Sequence, residues 1–530
     1  MKCKPSQRGE GCEARVGETL DNGIRLPFPW SPRVQALTLK PVTPPYLVSP
    51  PEVIPIDVGR QLFVDDYLIE ETTLRRTFHA AEYHPDNPVL KPDRLWEQEE
   101  ERLSPMAMVF SDGVWYDPGD RLFKMWYMSW GFTCYATSHD GIQWEKPILD
   151  VRTGTNIVHV CPGRDSSTVW LDLEEKDPRR RFKMFIAVEN NGWALSIHFS
   201  ADGIHWSDVV TRSGLCGDRT TVFYNPFRKV WVYSLRAGDS TLGRIRRYWE
   251  NPDVIAGAQW KADEPPLWVG ADRLDPSRAD LNVQPQLYNL DAVAYESVLL
   301  GLFSIWRGQP SNRPKPNEVL VGFSRDGFHW DRPYRRAFIP VSERYGDWNW
   351  GNVQSAGGCC LVVGDKLYFY VSGRAGVPGT PHSGVCSTGL ATLRRDGFAS
   401  MDAGEAGGIL TTRPVRFRGK YLFVNVDADQ GELRVEVLRE NGQVIAPFTH
   451  AQCIPIYSDK TLQAVRWEDG SDLSTLVGKR VRFRFYLRNG LLYAFWVSPE
   501  PSGCSHGYVA AGGPGFIGAT DTVGLTAYHR

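Results

Sequence analysis

The sequence predicts an all-β chain: a five-bladed β-propeller followed by a β-sandwich. Three observations predict it. Short apolar segments alternate with turn-forming residues over almost the whole length, and amphipathic helical periodicity is nearly absent. An Asp-Gly pair recurs in similar surroundings, beginning at Asp140, Asp202, Asp326 and Asp396. After about Gly404 the repeat stops and longer alternating strands follow.

The repeat decides the architecture. RLFKMWYMSW leads to CYATSHDGIQWEKP, RRFKMFIAVEN to LSIHFSADGIHWSD, SVLLGLFSIW to VLVGFSRDGFHWDRP, and KLYFYVSG to GLATLRRDGFASMD. The first two Asp-Gly pairs are 62 residues apart, and the second and third are 124 apart, twice that interval. One degenerate copy therefore belongs between them, and KVWVYSLRAG through RIRRYWENPDVIAGAQW fills the gap. Four visible copies and one hidden copy make five. Each unit reads as an inner strand after a polar loop, an aromatic second strand, a third strand ending at Asp-Gly, and a short fourth strand carrying Trp. Asp-Gly supplies the positive-φ positions of a tight hairpin, so its role is structural. The Trp is expected to pack between adjacent units. A four-stranded unit repeated radially is a propeller blade.

Three segments follow. Residues 1–55 are Pro-rich and polar, ending in PPYLVSPPEVIP, and read as an extended arm. Residues 56–404 form the propeller. Residues 405–530 carry KYLFVNVDA, ELRVEVLRE, KRVRFRFYLRN and LLYAFWVSP, which read as an antiparallel sandwich bracing it.

The composition narrows the function. The chain has 530 residues, 42% hydrophobic and 12% aromatic, with net charge -2. That supports a large core and offers no basic excess for nucleic acid or an anionic membrane. No stretch approaches the ~20 apolar residues that span a bilayer. MKCKPSQRGEGCEARVGETLDNG has no apolar h-region, so a cytoplasmic location is expected. Ten cysteines without CxxC spacing read as buried free thiols. HExxH, P-loop and GxSxG motifs are missing, as are a strand-to-helix GxGxxG and zinc-type Cys/His spacing. No cofactor is expected, although a structural cation in a propeller channel is compatible with this reading.

Chemistry on a propeller belongs at the channel mouth, where the inner strands begin. The residues upstream of those strands are polar and aromatic: Glu101 in WEQEEERLSPMAMVF, Arg164 and Asp165 in GRDSSTVWLDL, and Asp218 and Arg219 in GDRTTVFYNPF. Gln284 and Glu296 lie in DLNVQPQLYNLDAVAYES, and Asp347, Trp348, Trp350 and Asn352 in YGDWNWGNVQSAGG; His382 stands in the later loop VPGTPHSG. Glycoside hydrolysis needs two carboxyls facing the scissile bond. Asp165, Asp218 and Glu296 are the catalytic candidates. Glu101, Arg164, Arg219, Gln284, Asp347, Trp348, Trp350, Asn352 and His382 are the substrate-binding ones, since amides and Arg bind sugar hydroxyls and Trp stacks on ring faces. A simple ion pair competes with catalysis at Asp165 and Asp218, each flanked by Arg.

IDVGRQLFVDDYLIEE, HPDNPVLKPDRLWE, FKMWYM and SHDGIQWEKP resemble bacterial five-bladed propeller proteins related to glycoside hydrolase families 32 and 43, over roughly residues 55–530. The resemblance implies a C-terminal sandwich and cleavage of a terminal glycosidic bond. Family 32 enzymes place a nucleophilic Asp in a WMNDPNG-like motif, which this sequence lacks. Asp218 in GDRTT is the nearest counterpart of their RDP-like Asp, and Glu296 in YES a loose counterpart of their acid. The substrate class stays open between a furanoside, fructoside- or arabinoside-like, and a pyranoside. NPVL followed by WE is similar to propeller enzymes that phosphorolyse mannosides. A glycoside phosphorylase, with Arg164 or Arg219 on phosphate, and a non-catalytic sugar-binding propeller are the alternative readings.

Overall fold

The computed structural model describes residues 17–98, 104–470 and 472–529. Among them the chain is nearly all β-strand, with one turn of α-helix, Pro45–Val48, and short 3-10 turns. The expected all-β class therefore holds.

The strands form seven sheets, five of them meanders. The first contains Met108–Asp117, Leu122–Ser129, Phe132–Ser138 and Ile157–Val160; the second contains Arg164–Leu171, Phe182–Glu189, Trp193–Ser200 and Thr211–Leu215. The third contains Thr221–Asn225, Val230–Asp239, Gly243–Asn251 and Leu267–Gly270, so the stretch assigned to the hidden repeat supplies its middle strands. The fourth contains Gln286–Glu296, Val298–Trp306 and Asn317–Ser324, with Tyr508–Val509 added beside its leading strand. The fifth runs Asn352–Ser355, Lys366–Arg374, Cys386–Arg394, and its outer strand, Glu82–Tyr83, comes from upstream of the first sheet. The five leading strands neighbour one another in cyclic order, the fifth lying beside the first.

The Asp-Gly pairs act through the Asp side chain and the Gly backbone. Asp140 Oδ1 accepts from the amides of Ile142 and Gln143, Asp202 Oδ1 from Ile204 and His205, and Asp326 Oδ1 from Phe328 and His329. Such local bonds stabilise a turn. The following glycine takes φ of +76°, +81° or +85° in the three turns. At Gly203 a Cβ would also lie 2.5 Å from Trp126, whose indole donates to the Gly203 carbonyl. These turns join adjacent sheets: Trp144 meets Tyr370 of the fifth sheet edge-on at 5.6 Å, and Trp330 packs on Trp268 of the third at 6.2 Å. Asp396 departs from the pattern. It takes φ +61° itself, and its carboxylate is buried.

The remaining two sheets have six strands each. Their membership crosses the boundaries expected at residues 55 and 404. One includes Ile54–Pro55 and Ile69–Thr72 with Gly408–Thr412, Glu432–Arg439 and Val481–Arg488. The other includes Gln61–Leu62, Arg75–Phe78 and Ala399–Ala403 with Tyr421–Asp427 and Gly490–Ser498. Leu20, Ile24, Leu26 and Tyr46 are buried in the core of these sheets. The described part of the N-terminal arm is thus packed rather than extended, because its few apolar residues find a shared face. All eight described cysteines are free thiols.

One carboxyl near this junction makes stability depend on pH. Burial, reinforced by the nearby Asp65 charge, pushes Asp331 up to about 7 against the pull of Arg335, Arg76 and Arg325. A carboxyl raised on folding binds its proton more tightly in the native state. Stability is then fully present below the ordinary carboxyl range, ~4, and falls as pH rises toward the native value. Asp331→Asn is expected to raise Tm at pH 8 and leave it nearly unchanged at pH 4. Identical Tm–pH curves for the two proteins would contradict this.

Candidate active site

The leading strands start at one common end, and their first residues converge there with the turns joining second to third strands. A bulge in the first leading strand shapes the site. Its pairing slips between Met108 and Gly113, with Ser111 at φ +62° and Gly113 at φ +133°. Bulges re-aim side chains, and here Ser111 and Asp112 enter the shared interior.

Asp112 is fully buried, and both its oxygens accept from Arg164 Nη2 at 2.9 Å. Arg164 Nη1 donates to Thr133 at 2.6 Å. Asp291, from the middle of the fourth leading strand, accepts from Asn289 at 2.8 Å and Ser355 at 2.7 Å. Between them lies Arg219, 1% exposed, with its guanidinium 3.8 Å from the Phe110 ring centroid. Its Nη2 donates to Ser111 Oγ at 3.1 Å, while Nε and Nη1 have no partner. Arg246 lies behind, donating to the carbonyls of Arg219 and Tyr288.

Asp165 and Asp218 stand at the mouth of this cluster. Ser166 donates to the Asp218 carbonyl at 2.8 Å, fastening the two strand starts together. Asp165 Oδ1 is buried without a partner. Burial pushes the Asp165 carboxyl up; Arg219 pulls it back, and the Asp218 charge adds to the rise. Asp218 keeps about a third of its side chain exposed, 36%, and is ion-paired with Arg236 at 3.3 Å. Burial also raises Asp112 against Arg164, and Asp291 against Ser355, Arg219 and Arg246. Burial and the neighbouring Arg219 bring Arg246 down to about 9. A low-dielectric interior penalises each charged form, so burial works against ionisation at each of these carboxyls while the neighbouring arginines favour it.

Tyr288, Lys315, Arg244 and Arg374 complete the rim. Lys315 Nζ donates to the Tyr288 hydroxyl at 2.7 Å. Arg244 stacks on Tyr288 and Trp306 at 5.5 and 5.0 Å, and Arg374 lies 5.7 Å from Phe110.

The structure thus brings Asp165, Asp218 and Arg219 together. It corrects the expectation for Glu296. That residue ends the fourth leading strand, at the opposite end from the mouth, and is fully buried. Its carboxylate accepts from the Arg60 amide at 3.1 Å, Ser505 at 2.7 Å and Arg395 at 3.2 Å. Asp396 and Asp521 complete this charge network, where Arg60 also meets the Thr461 carbonyl. It joins the sheets and is closed to substrate. An eleven-residue strand carries its last residue far from its first, and proximity in sequence hid that.

Several binding candidates are used structurally. Arg164 is consumed by Asp112. Trp348 packs where a Cβ on Gly373 or Gly389 would come within 2.1 Å, and it meets Tyr83 edge-on at 5.6 Å, so its face is taken. Asn352 is buried, donating to the Lys315 carbonyl at 2.8 Å and accepting from Gln354. Trp350 lies under Arg313 at 4.7 Å, and Asp347 bonds Ser342 and pairs with Arg344. Gln284 and His382 are exposed on loops. Glu101 lies outside the described residues. Sequence reading missed Asp112, Asp291, Phe110, Tyr288, Lys315 and Arg374. Asp112 and Asp291 lie within leading strands, and Lys315 and Arg374 on the loop and strand end facing the same mouth. Among the described residues no group of three or more His, Cys, Asp or Glu side chains is arranged to hold a metal ion.

No protein-family model and no curated protein matches the chain. Among solved structures it is similar to an N-acetylgalactosamine deacetylase from F. plautii, at 13% identity and TM-score 0.41, over 61% of this chain and 96% of that one. It is similar to a thermostable family-43 glycoside hydrolase at 12% identity and TM-score 0.38, over 58% of this chain and 96% of that one. A glycosyl hydrolase from Bacteroides ovatus gives 13% identity and TM-score 0.39, over 63% and 97%. Likeness at this level carries no weight for fold or activity.

Removing one partner of a buried charge network leaves the others uncompensated, at a cost of about 3–5 kcal/mol. Glu296→Gln is therefore expected to lower stability in denaturant titration by about 3 kcal/mol or more, while the surviving folded protein keeps wild-type turnover. Loss of turnover at unchanged stability would return Glu296 to the active site.

Proposed function

We propose that this chain is a glycoside hydrolase acting on a terminal sugar. We further read the five meander sheets as the blades of a five-bladed propeller and the two six-stranded sheets as the faces of a sandwich joined to it. The observation carrying the proposal is the pair Asp165 and Asp218. One carboxyl has a buried, unpartnered oxygen and is pushed up by burial, and the other is solvent-reaching and ion-paired, at the same mouth. Two carboxyls in unlike environments divide acid from base.

In this reading Asp165 is the general acid. Its proton passes to the glycosidic oxygen as the bond to the anomeric carbon breaks. Asp218 is the carboxylate that faces the anomeric carbon, attacking it or deprotonating the attacking water. Arg236 holds Asp218 in place. Ser166 fixes the relative position of the two strand starts. A carboxyl separation of about 5–5.5 Å in the working complex would give retention, and about 6.5–9.5 Å inversion.

Aryl glycosides of furanoses and pyranoses provide the test. Asp165→Asn and Asp218→Asn are each expected to lower kcat by about 10²–10⁴. Activated aryl leaving groups, which need little protonation, should partly bypass the Asp165 change but not the Asp218 change. Full turnover in either variant would remove that residue from its role. Binding without turnover across the panel would favour a sugar-binding propeller.

A further inference from the structure

Among the described residues the mouth holds more cations than its carboxylates pair. Arg164 is matched by Asp112 and Arg236 by Asp218. Arg219, Arg244, Lys315 and Arg374 have no carboxylate within ion-pair distance among the described residues, and the side chains they bond are neutral, although Arg219 faces Asp112, Asp165 and Asp291 at longer range and Lys315 faces Asp165. Arg219 bonds Ser111, Arg244 bonds Gln286, Lys315 bonds Tyr288, and Arg374 bonds Ser383. Arg219 is the most telling. It is 1% exposed, it stacks on Phe110, and its Nε and Nη1 donate to nothing. The buried Arg374 Nε is also unpartnered. An unmade hydrogen bond from a buried charged donor is costly, and Arg219 leaves two such donors unmade beside the mouth, Nη1 as well as Nε.

Neutral sugar hydroxyls would satisfy single donors but would leave several like charges facing one another across a low-dielectric opening. An oxyanion satisfies both needs, since guanidinium and ammonium groups hold carboxylate, sulfate and phosphate oxygens through charge-assisted bonds. Phe110 and Tyr288, buried beneath these cations, hold Arg219, Arg374 and Lys315 close together.

We infer that the mouth binds an anionic sugar, a uronic acid or a sulfate-bearing residue, with the oxyanion held by Arg219, Lys315 and Arg374. This rests on the glycosidase reading for the meaning of turnover, but its binding test does not. In titration calorimetry of the full chain, glucuronate and galacturonate, or a monosaccharide sulfate, are expected to bind, and glucose and galactose to bind at least about tenfold more weakly. Lys315→Gln is expected to lower the affinity for the anionic sugar about tenfold and to leave the neutral sugars unaffected. Arg219→Gln, provided circular dichroism shows it folded, is expected to lower it further. Equal affinity for charged and neutral sugars, or insensitivity to Lys315→Gln, would overturn the inference. Binding of inorganic phosphate without any anionic sugar would also overturn it, by assigning the cations to a phosphate co-substrate. The uronate arm separates uronic acids from the sulfated arm. Aryl glycosides of the sugars that bind keep the two readings apart. Anionic binding without turnover leaves this inference standing and removes the glycosidase, and turnover of neutral glycosides alone does the reverse.

Discussion

Everything at the mouth depends on how the fifth sheet is finished. Its outer strand is Glu82–Tyr83, paired to Ala391 and Thr392, and it precedes the first sheet in the chain. Leu90 bridges Thr388, and Met106 runs parallel to Cys386 close by. The chain thus enters the first leading strand directly from its contacts with the last sheet. That pairing fixes the fifth leading strand beside the first and makes five strand starts share one opening. The same closure shuts off from water the interior that lifts Asp112, Asp165 and Asp291.

The opposite end is closed by a different device. Arg60, Glu296, Arg395, Asp396 and Asp521 form a network in which every member is buried. It links a segment before the first sheet, the end of the fourth leading strand, the last Asp-Gly turn and the C-terminal tail. Buried ionic networks are weak evidence for stability, and this one ties four parts of the chain to one point. The last Asp-Gly pair has been diverted to this joint. Its Asp accepts from Arg60, Tyr295 and Asn425 rather than capping its own turn.

The all-β class and the repeated turns were legible in the sequence because their cause is local. An Asx-capped turn needs Asp followed by Gly, and a strand against a neighbouring sheet needs aromatics at alternate positions, so spacing alone revealed the hidden third copy. The segment boundaries were less legible. Strands such as Gln61–Leu62 and Arg75–Phe78 pair with partners hundreds of residues away, and nothing local marks the partner. The site was half legible. Asp165, Asp218 and Arg219 were found because strand starts can be read from the repeat. Glu296 was misplaced because the reading stopped short of strand length, and Asp112 was missed because the bulge that turns it inward has no motif. Lys315 and Arg374 come from second- and third-strand ends, and only the closed ring sets them over the same opening.

Two physical features meet at the mouth: burial pushes the Asp165 carboxyl up beside a part-exposed Asp218, and cations outnumber the carboxylates paired to them among the described residues. A crystal structure of the protein soaked with galacturonate tests both most directly. The account predicts the sugar at this mouth, its carboxylate on Arg219 and Lys315, and its anomeric carbon facing Asp218 with Asp165 beside the leaving oxygen. A well-ordered galacturonate bound elsewhere, with the mouth empty, would contradict it.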